Sequence, residues 1–215
     1  MNDKELLASR AAALLQPGWV VNLGIGIPTL VTRFVDQNSV RFQTENGMLG
    51  VGPPPEEGRI DPNLVDAGKR PVTERPGSAF FDSATSFAMI RGGHVDAVVL
   101  GALQIDAKGR VANWAIPGEP ILGVGGAMDL MSGAKNVIVV MTHTAKDGTP
   151  KLVRECTLPL TSVRPATWVV TELATFRVDA DGLVLVECAP GVSLETVRAR
   201  TAAPYRESVP AGRAS

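Results

Sequence analysis

The chain has 215 residues, 45% of them apolar, and its 22 acidic and 21 basic side chains leave a net charge of −1. That length builds one sizeable core, and the interspersed charges exclude the basic stripe by which proteins grip nucleic acid or an anionic membrane. Two cysteines, Cys156 and Cys188, stand far apart without metal-ligand spacing, which suits buried free thiols in a reducing compartment.

Leu6, Leu7, Ala11, Leu14 and Leu15 recur at helical spacing behind Asp3, and Gln16-Pro17-Gly18 stops them, so a first amphipathic helix is predicted. The N-terminus shows neither a signal nor a transit pattern, and no apolar run reaches the ~18 residues of a membrane span; a cytoplasmic location is expected. Trp19 to Leu23 forms a strand that empties into Gly24-Ile25-Gly26-Ile27-Pro28-Thr29, and Leu30 to Phe34 turn helical with Pro28 in the first turn. A short strand, Ser39 to Gln43, then runs into Thr44-Glu45-Asn46-Gly47. Between Gly52 and Gly77 many Pro, Gly, Asp and Glu residues follow without periodicity, an irregular excursion suited to a lid or a docking surface.

Asp82 can cap a helix over Ser83 to Arg91, which Gly92-Gly93 terminate. From residue 95 the apolar runs Val95 to Ile105, Val137 to Met141 and Leu183 to Glu187 alternate with Asp106-Ala107-Lys108-Gly109, Ala145-Lys146-Asp147-Gly148 and Asp179-Ala180-Asp181-Gly182. Those turns predict hairpins and a sheet-dominated second half. Ser193 caps a last helix near Leu194 to Arg200, and residues 207–215 read as a disordered tail. The whole is an α/β chain with one domain over residues 1–206.

The chemistry is constrained by what the chain lacks. It has two histidines, His94 and His143, and no Gly-x-Ser-x-Gly elbow, so a nucleophilic triad is off the list, and two separated histidines without a carboxylate cluster make no zinc site. Both read as structural. Gly24-Ile25-Gly26 followed by Glu45 resembles part of a dinucleotide fingerprint, but Thr29 holds the third glycine position. Gly123-Val124-Gly125-Gly126 could offer clustered amides to an oxyanion or simply turn a strand into a helix. Glutamate, with a reference pKa of about 4.3, is ionised at neutral pH and needs no base to become a nucleophile. On these residues Glu45 is either a solvated acid in an Asn-Gly turn or an attacking carboxylate.

Three motifs narrow the choice: Glu45-Asn46-Gly47 with Leu49-Gly50-Val51-Gly52-Pro53, Ala112-Asn113-Trp114-Ala115-Ile116-Pro117-Gly118, and Gly123-Val124-Gly125-Gly126-Ala127-Met128-Asp129. Together with Val21 to Pro28, Gly92 to Asp96 and Cys188 to Val192, they resemble the B (beta) subunit of the class I 3-oxoacid CoA-transferases over nearly the whole chain. Thr44 replaces the serine of that family's Ser-Glu-Asn-Gly. The resemblance implies a central, mostly parallel sheet flanked by helices, with hairpin additions in the C-terminal half (the CoA-transferase, NagB-RpiA-like fold). It implies that Glu45 carries CoA as a thioester in ping-pong exchange between an acyl-CoA, such as succinyl-CoA, and a 3-oxoacid or other short carboxylic acid. By the same resemblance Gly125 and Gly126 belong to an oxyanion hole, Asn113 positions the acyl or CoA group, Lys69 lies near CoA, and Asn46 and Gly47 shape the site. No metal or cofactor is expected, CoA being a substrate. A partner A (alpha) subunit is expected in an A2B2-type assembly, because this chain lacks that subunit's Gly-Gly-Phe-type motif. The alternatives are an NAD(P)-binding oxidoreductase, an acyl-CoA hydrolase using the same glutamate, and a non-catalytic scaffold.

Overall fold

A computed structural model describes residues 2–36, 38–121 and 123–208. Helix α1 (Asp3–Ala12) opens on a capping box in which Asn2 and Glu5 satisfy each other's amides. Strand β1 (Val20–Leu23) follows, and the glycine loop leads into a 3-10 helix over Ile27–Arg33. Next come β2 (Arg41–Thr44), β3 (Met48–Val51), β4 (Glu74–Phe80) and α2 (Ser83–Arg91), whose N-cap is Asp82 as expected. Strands β5 (Ala97–Gly101), β6 (Gln104–Asp106) and β7 (Val111–Ala112) precede α3 (Ala127–Gly133) and β8 (Asn136–Val140). The chain continues through β9 (Leu152–Val153), β10 (Trp168–Val170), β11 (Ala174–Asp179), β12 (Gly182–Cys188), the Ser193-capped α4 (Leu194–Arg200) and β13 (Arg206–Glu207).

A ten-stranded sheet has the order β13-β12-β11-β10-β8-β5-β1-β2-β3-β4, and a three-stranded sheet the order β7-β6-β9. The middle of the large sheet, from β10 to β2, is parallel throughout. Its flanks turn antiparallel, through β2-β3-β4 on one side and β10-β11-β12 on the other. Alternation sorts the central strands between two cores. Val98, Leu100, Val137 and Val139 face Ile90 of α2 and Leu130 and Met131 of α3. Ala97, Val99, Ile138 and Val140 face Leu7, Ala8 and Ala11 of α1 and Val31 of the 3-10 helix. The result is an α/β sandwich in three layers. Among the described residues no helix is long and apolar enough to cross a membrane.

Because β2 adds to one side of β1 while β5 and β8 add to the other, the order reverses at β1. A crevice outside the strands' carboxyl ends at such a point is where open α/β sheets bind ligands. The Gly24 backbone enters it closely: a methyl group there would sit 3.0 Å from Leu100 Cδ2 and 3.2 Å from the Val99 carbonyl oxygen.

Three expectations need correction. The turn at Ala145–Gly148 closes on one bridge, Thr144 to Pro150, and β8 pairs in parallel with β5 and β10 rather than in a hairpin, because its all-apolar run is buried on both faces. The tail does not begin at 207, since Glu207 pairs with Leu185 in β13 and the Ser208 amide donates to the Leu185 carbonyl; residues 209–215 lie outside the described residues. The cysteines are half-buried rather than buried, and burial pushes the Cys156 thiol up to about 11.

His143 is structural. It is fully buried beyond β8, with Nδ1 2.9 Å from the Thr171 hydroxyl and Nε2 2.8 Å from that of Thr201. Burial, and secondarily the Arg200 charge, depress it from 6.5 to about 4. The unfolded chain therefore takes up a proton that the folded one refuses between those values, and stability falls as pH drops through that window, by up to about 3 kcal/mol. Urea midpoints measured from pH 7.5 down to pH 4 should decline in this range, and a His143→Gln variant should show a visibly shallower decline.

Candidate active site

Glu45 sits in the turn between β2 and β3, at the carboxyl end of β2, and its side chain is half-buried. The turn is held by its neighbours. Gly47 adopts φ +127°, and its carbonyl accepts from the Phe81 amide at 2.9 Å. A methyl group at Gly47 would overlap the Phe81 carbonyl oxygen, so no other residue fits this crossing. The Thr44 hydroxyl donates to Asn46 Oδ1 at 2.8 Å and accepts from the Ala67 amide at 2.9 Å, while Asn46 Nδ2 donates to the Val65 carbonyl at 2.9 Å. Thr44 and Asn46 thereby fasten the irregular excursion to the turn. On that face the excursion roofs a cavity of about 400 Å³, walled by Leu23, Leu30, Phe42, Val51, Ile60 and Val72.

On the opposite face of the sheet a buried amide chain leads to the carboxylate. Asn22 Nδ2 donates to Glu45 Oε2 at 3.0 Å and to Gln43 Oε1 at 2.7 Å, and Gln43 Nε2 donates to the Ser86 hydroxyl of α2 at 2.8 Å. Asn22, Gln43 and Ser86 are each at most 2% exposed. Parallel register places Asn22 beside Gln43, and the pair gives Glu45 a neutral donor in a low-dielectric setting, worth about 1.5–3 kcal/mol when the acceptor is charged. The Asn22 Oδ1 has no partner among the described residues. The sequence reading missed these residues. A lone asparagine in the otherwise apolar β1 was the available signal for Asn22; Gln43, in the mixed strand Arg41–Thr44, carried none.

The third component is α3. Gly126 is its N-cap residue, at φ −81°, and a methyl group there would lie 3.1 Å from Phe87 Cζ and 3.6 Å from Glu45 Cγ. The glycine motif and the glutamate, 81 positions apart, are thus neighbours, with room for no side chain at Gly126 that would not meet the Glu45 stem. Gly125 precedes it at φ +56°, and neither amide has an acceptor among the described residues. The far end of α3 is pinned: Arg164 Nη1 donates to the carbonyls of Met131, Ser132 and Ala134, and Nη2 to that of Lys135. A cation there complements the helix C-terminus.

The other predicted residues lie apart from the carboxylate. Lys69 is exposed at φ +60° in the turn that Asp66 and Arg70 close; its neighbours Gly68 and Arg70 line the larger cavity, and Lys69 itself does not. Asn113 donates to the Gly101 carbonyl at 3.2 Å and accepts from the Thr161 hydroxyl at 2.6 Å, at the end of β5. The dinucleotide alternative loses its anchor, because the glycine loop opens a seven-residue 3-10 helix where that fold needs an α-helix.

Residues 4–200 match the family model described as Coenzyme A transferase. The chain belongs to that family. It is 48% identical over 202 residues to the B subunit of the succinyl-CoA:3-ketoacid coenzyme A transferase of Helicobacter pylori, covering 94% of this chain and 98% of that one. It is also 48% identical over 206 residues to the beta subunit of the acetate CoA-transferase of Escherichia coli, covering 95% and 94%. Among solved structures, the acyl-CoA transferase YdiF of Escherichia coli O157:H7 superimposes with a TM-score of 0.77 at 27% identity over 96% of this chain. Its thioester complex with CoA superimposes with a TM-score of 0.73 at 26% identity. This chain spans 42% of the YdiF chain. The CoA-transferase sheet thus brings Glu45 and Gly126 together at its carboxyl edge.

A Gly47→Ala substitution should destabilise the fold by about 3 kcal/mol, through the forced φ and the Phe81 overlap, whereas Gly58→Ala, at a positive φ with open space around it, should cost less. Urea denaturation of the two variants checks the ranking.

Proposed function

We propose that this chain is the glutamate-bearing half of a two-subunit CoA-transferase that moves CoA between a short acyl-CoA and a short carboxylic acid. The observation that carries the reading is the Glu45 carboxylate, held by Asn22 on one side, with Gly126 so near on the other that a methyl group added there would meet the Glu45 stem. An ionised carboxylate attacks a thioester carbonyl without a base. Its oxygen bonds to the carbonyl carbon, the C–S bond breaks, and CoA leaves as thiolate, giving a mixed anhydride. The thiolate then attacks the Glu45 carbonyl carbon, the C–O bond to the first acyl group breaks, and the first acid departs as its carboxylate. A second carboxylate reverses both steps and leaves as the new acyl-CoA.

The residues around Glu45 divide this work. The Gly125 and Gly126 amides are the donors available to the oxyanion that forms at each attack. Asn22 orients the carboxylate, and its N–H is the donor available to the Glu45 carbonyl once CoA is joined to it as a thioester. Water must be excluded, because the anhydride would hydrolyse, and an alpha subunit would do this. The similar proteins from Helicobacter pylori and Escherichia coli are each named as one of two kinds of subunit, B or beta, and large apolar side chains are exposed on segments that flank the site: Ile25, Phe80, Ile116, Ile121 and Met128. An alpha partner covering them, in an A2B2 arrangement, would hide this surface. Succinyl-CoA with a 3-oxoacid, the pair in the Helicobacter pylori protein's name, is the first substrate set to assay, and acetate with an acyl-CoA is the second.

With its alpha partner, a Glu45→Gln variant should lose at least ~10³-fold in exchange rate while still co-eluting with that partner; exchange within tenfold of the unsubstituted enzyme would overturn the mechanism. Asn22→Leu, which removes the donor at similar volume, should lower kcat by roughly ten- to a hundredfold with a smaller change in KM. Steady-state kinetics on the same assembly separate the two.

A further inference from the structure

A second cavity, of about 240 Å³, lies at the carboxyl ends of β5 and β8, walled by Ile27, Pro28, Gly101, Ala102, Met141 and Thr142. Among the described residues Lys151 is the one charged side chain lining it. The lysine is half-buried, and its Nζ lies 3.5 Å from the Thr142 hydroxyl, which itself donates to the Thr144 carbonyl. Among the described residues no carboxylate comes within 4.0 Å of that ammonium. Glu172 is the acid that Lys151 feels, but both its oxygens accept from the His143 amide, at 3.2 and 2.9 Å. Burial pushes the lysine down from its ordinary value. A half-buried ammonium without an ion pair is unfavourable in the empty protein, and an incoming anion relieves it.

The location gives that anion a source. From β2, which carries Glu45, to β8 is three strand positions, roughly 14 Å at the ~4.8 Å spacing of neighbouring strands. The pantetheine arm joins the thiol of CoA to its pyrophosphate through about thirteen bonds, roughly 15 Å when extended at ~3.5 Å per three bonds. We infer that this cavity is an anion site, in which Lys151 binds a phosphate of CoA while the reacting carbonyl stands at Glu45. The inference rests on the CoA-transfer reading above. Asn113, bonded to the Gly101 carbonyl that forms part of the same rim, then has a place beside the bound arm rather than at the nucleophile.

Equilibrium binding of unreacted CoA to the assembled enzyme tests the site without any chemistry at Glu45, so that its failure and that of the nucleophile assignment are distinguishable. Lys151→Ala should weaken CoA roughly ten- to a hundredfold, leave pantetheine, which lacks the phosphates, unchanged, and be partly rescued by Lys151→Arg. CoA and pantetheine constants that both remain within twofold, or that weaken together, would overturn it. Lys151→Gln, which keeps most of the stem, carries the same comparison should the alanine variant fail to assemble.

Discussion

Everything at the carboxyl edge depends on one shared amide. Asn22 Nδ2 reaches two acceptors, Gln43 Oε1 in the neighbouring strand and Glu45 Oε2 in the turn beyond it. The first bond ties β1 to β2 through their side chains as well as through the ladder, and the second fixes where the carboxylate points. Because the amide is buried and neutral, it holds Glu45 without neutralising it, which an arginine or lysine in its place would do. A nucleophilic carboxylate has to keep its charge available, so a neutral donor is the better positioning group.

The remaining architecture brings the glycine backbone to that carboxylate. Gly126 can approach Glu45 because α3 is packed against α2, and the crossing is close: a methyl group at Gly133 would overlap the Ile90 carbonyl oxygen. Arg164 holds the C-terminal carbonyls of the same helix. On the other face, the hydroxyl of Thr44, the residue before Glu45, receives the Ala67 amide and so orders the excursion over the apolar cavity. The excursion is thus a fastened roof, sewn to the catalytic turn by side chains of the turn itself.

Much of this was legible in the sequence, and what was not has a common cause. Asp82, Ser193, the Asp-x-x-Gly turns and Pro28 act locally, through caps and fixed dihedrals, so their elements stand where the residues placed them. Glu45 stands out in the sequence through its motif and through what the chain lacks, and the structure sets it beside Asn22. Asn22, Gln43 and Ser86 were not, because their meaning depends on which strands are neighbours and in what register, a property of β1 lying beside β2 that no local pattern encodes. The same limit misplaced the 145–148 hairpin: β8 has a hairpin turn after it but parallel partners on both sides. Asn46 shows the reverse case, a motif residue whose side chain secures the Val65 segment.

The mechanism stands or falls on a covalent bond between Glu45 and CoA. That bond is detected by incubating the assembled enzyme with acyl-CoA in the absence of an acceptor acid, denaturing it in acid, and measuring the mass of the peptide that contains Glu45. A CoA-sized increment on that peptide, lost on treatment with hydroxylamine and absent from a Glu45→Gln control, is the predicted result. An active enzyme that carries the increment on another residue, or exchanges CoA with no covalent increment at all, would contradict it.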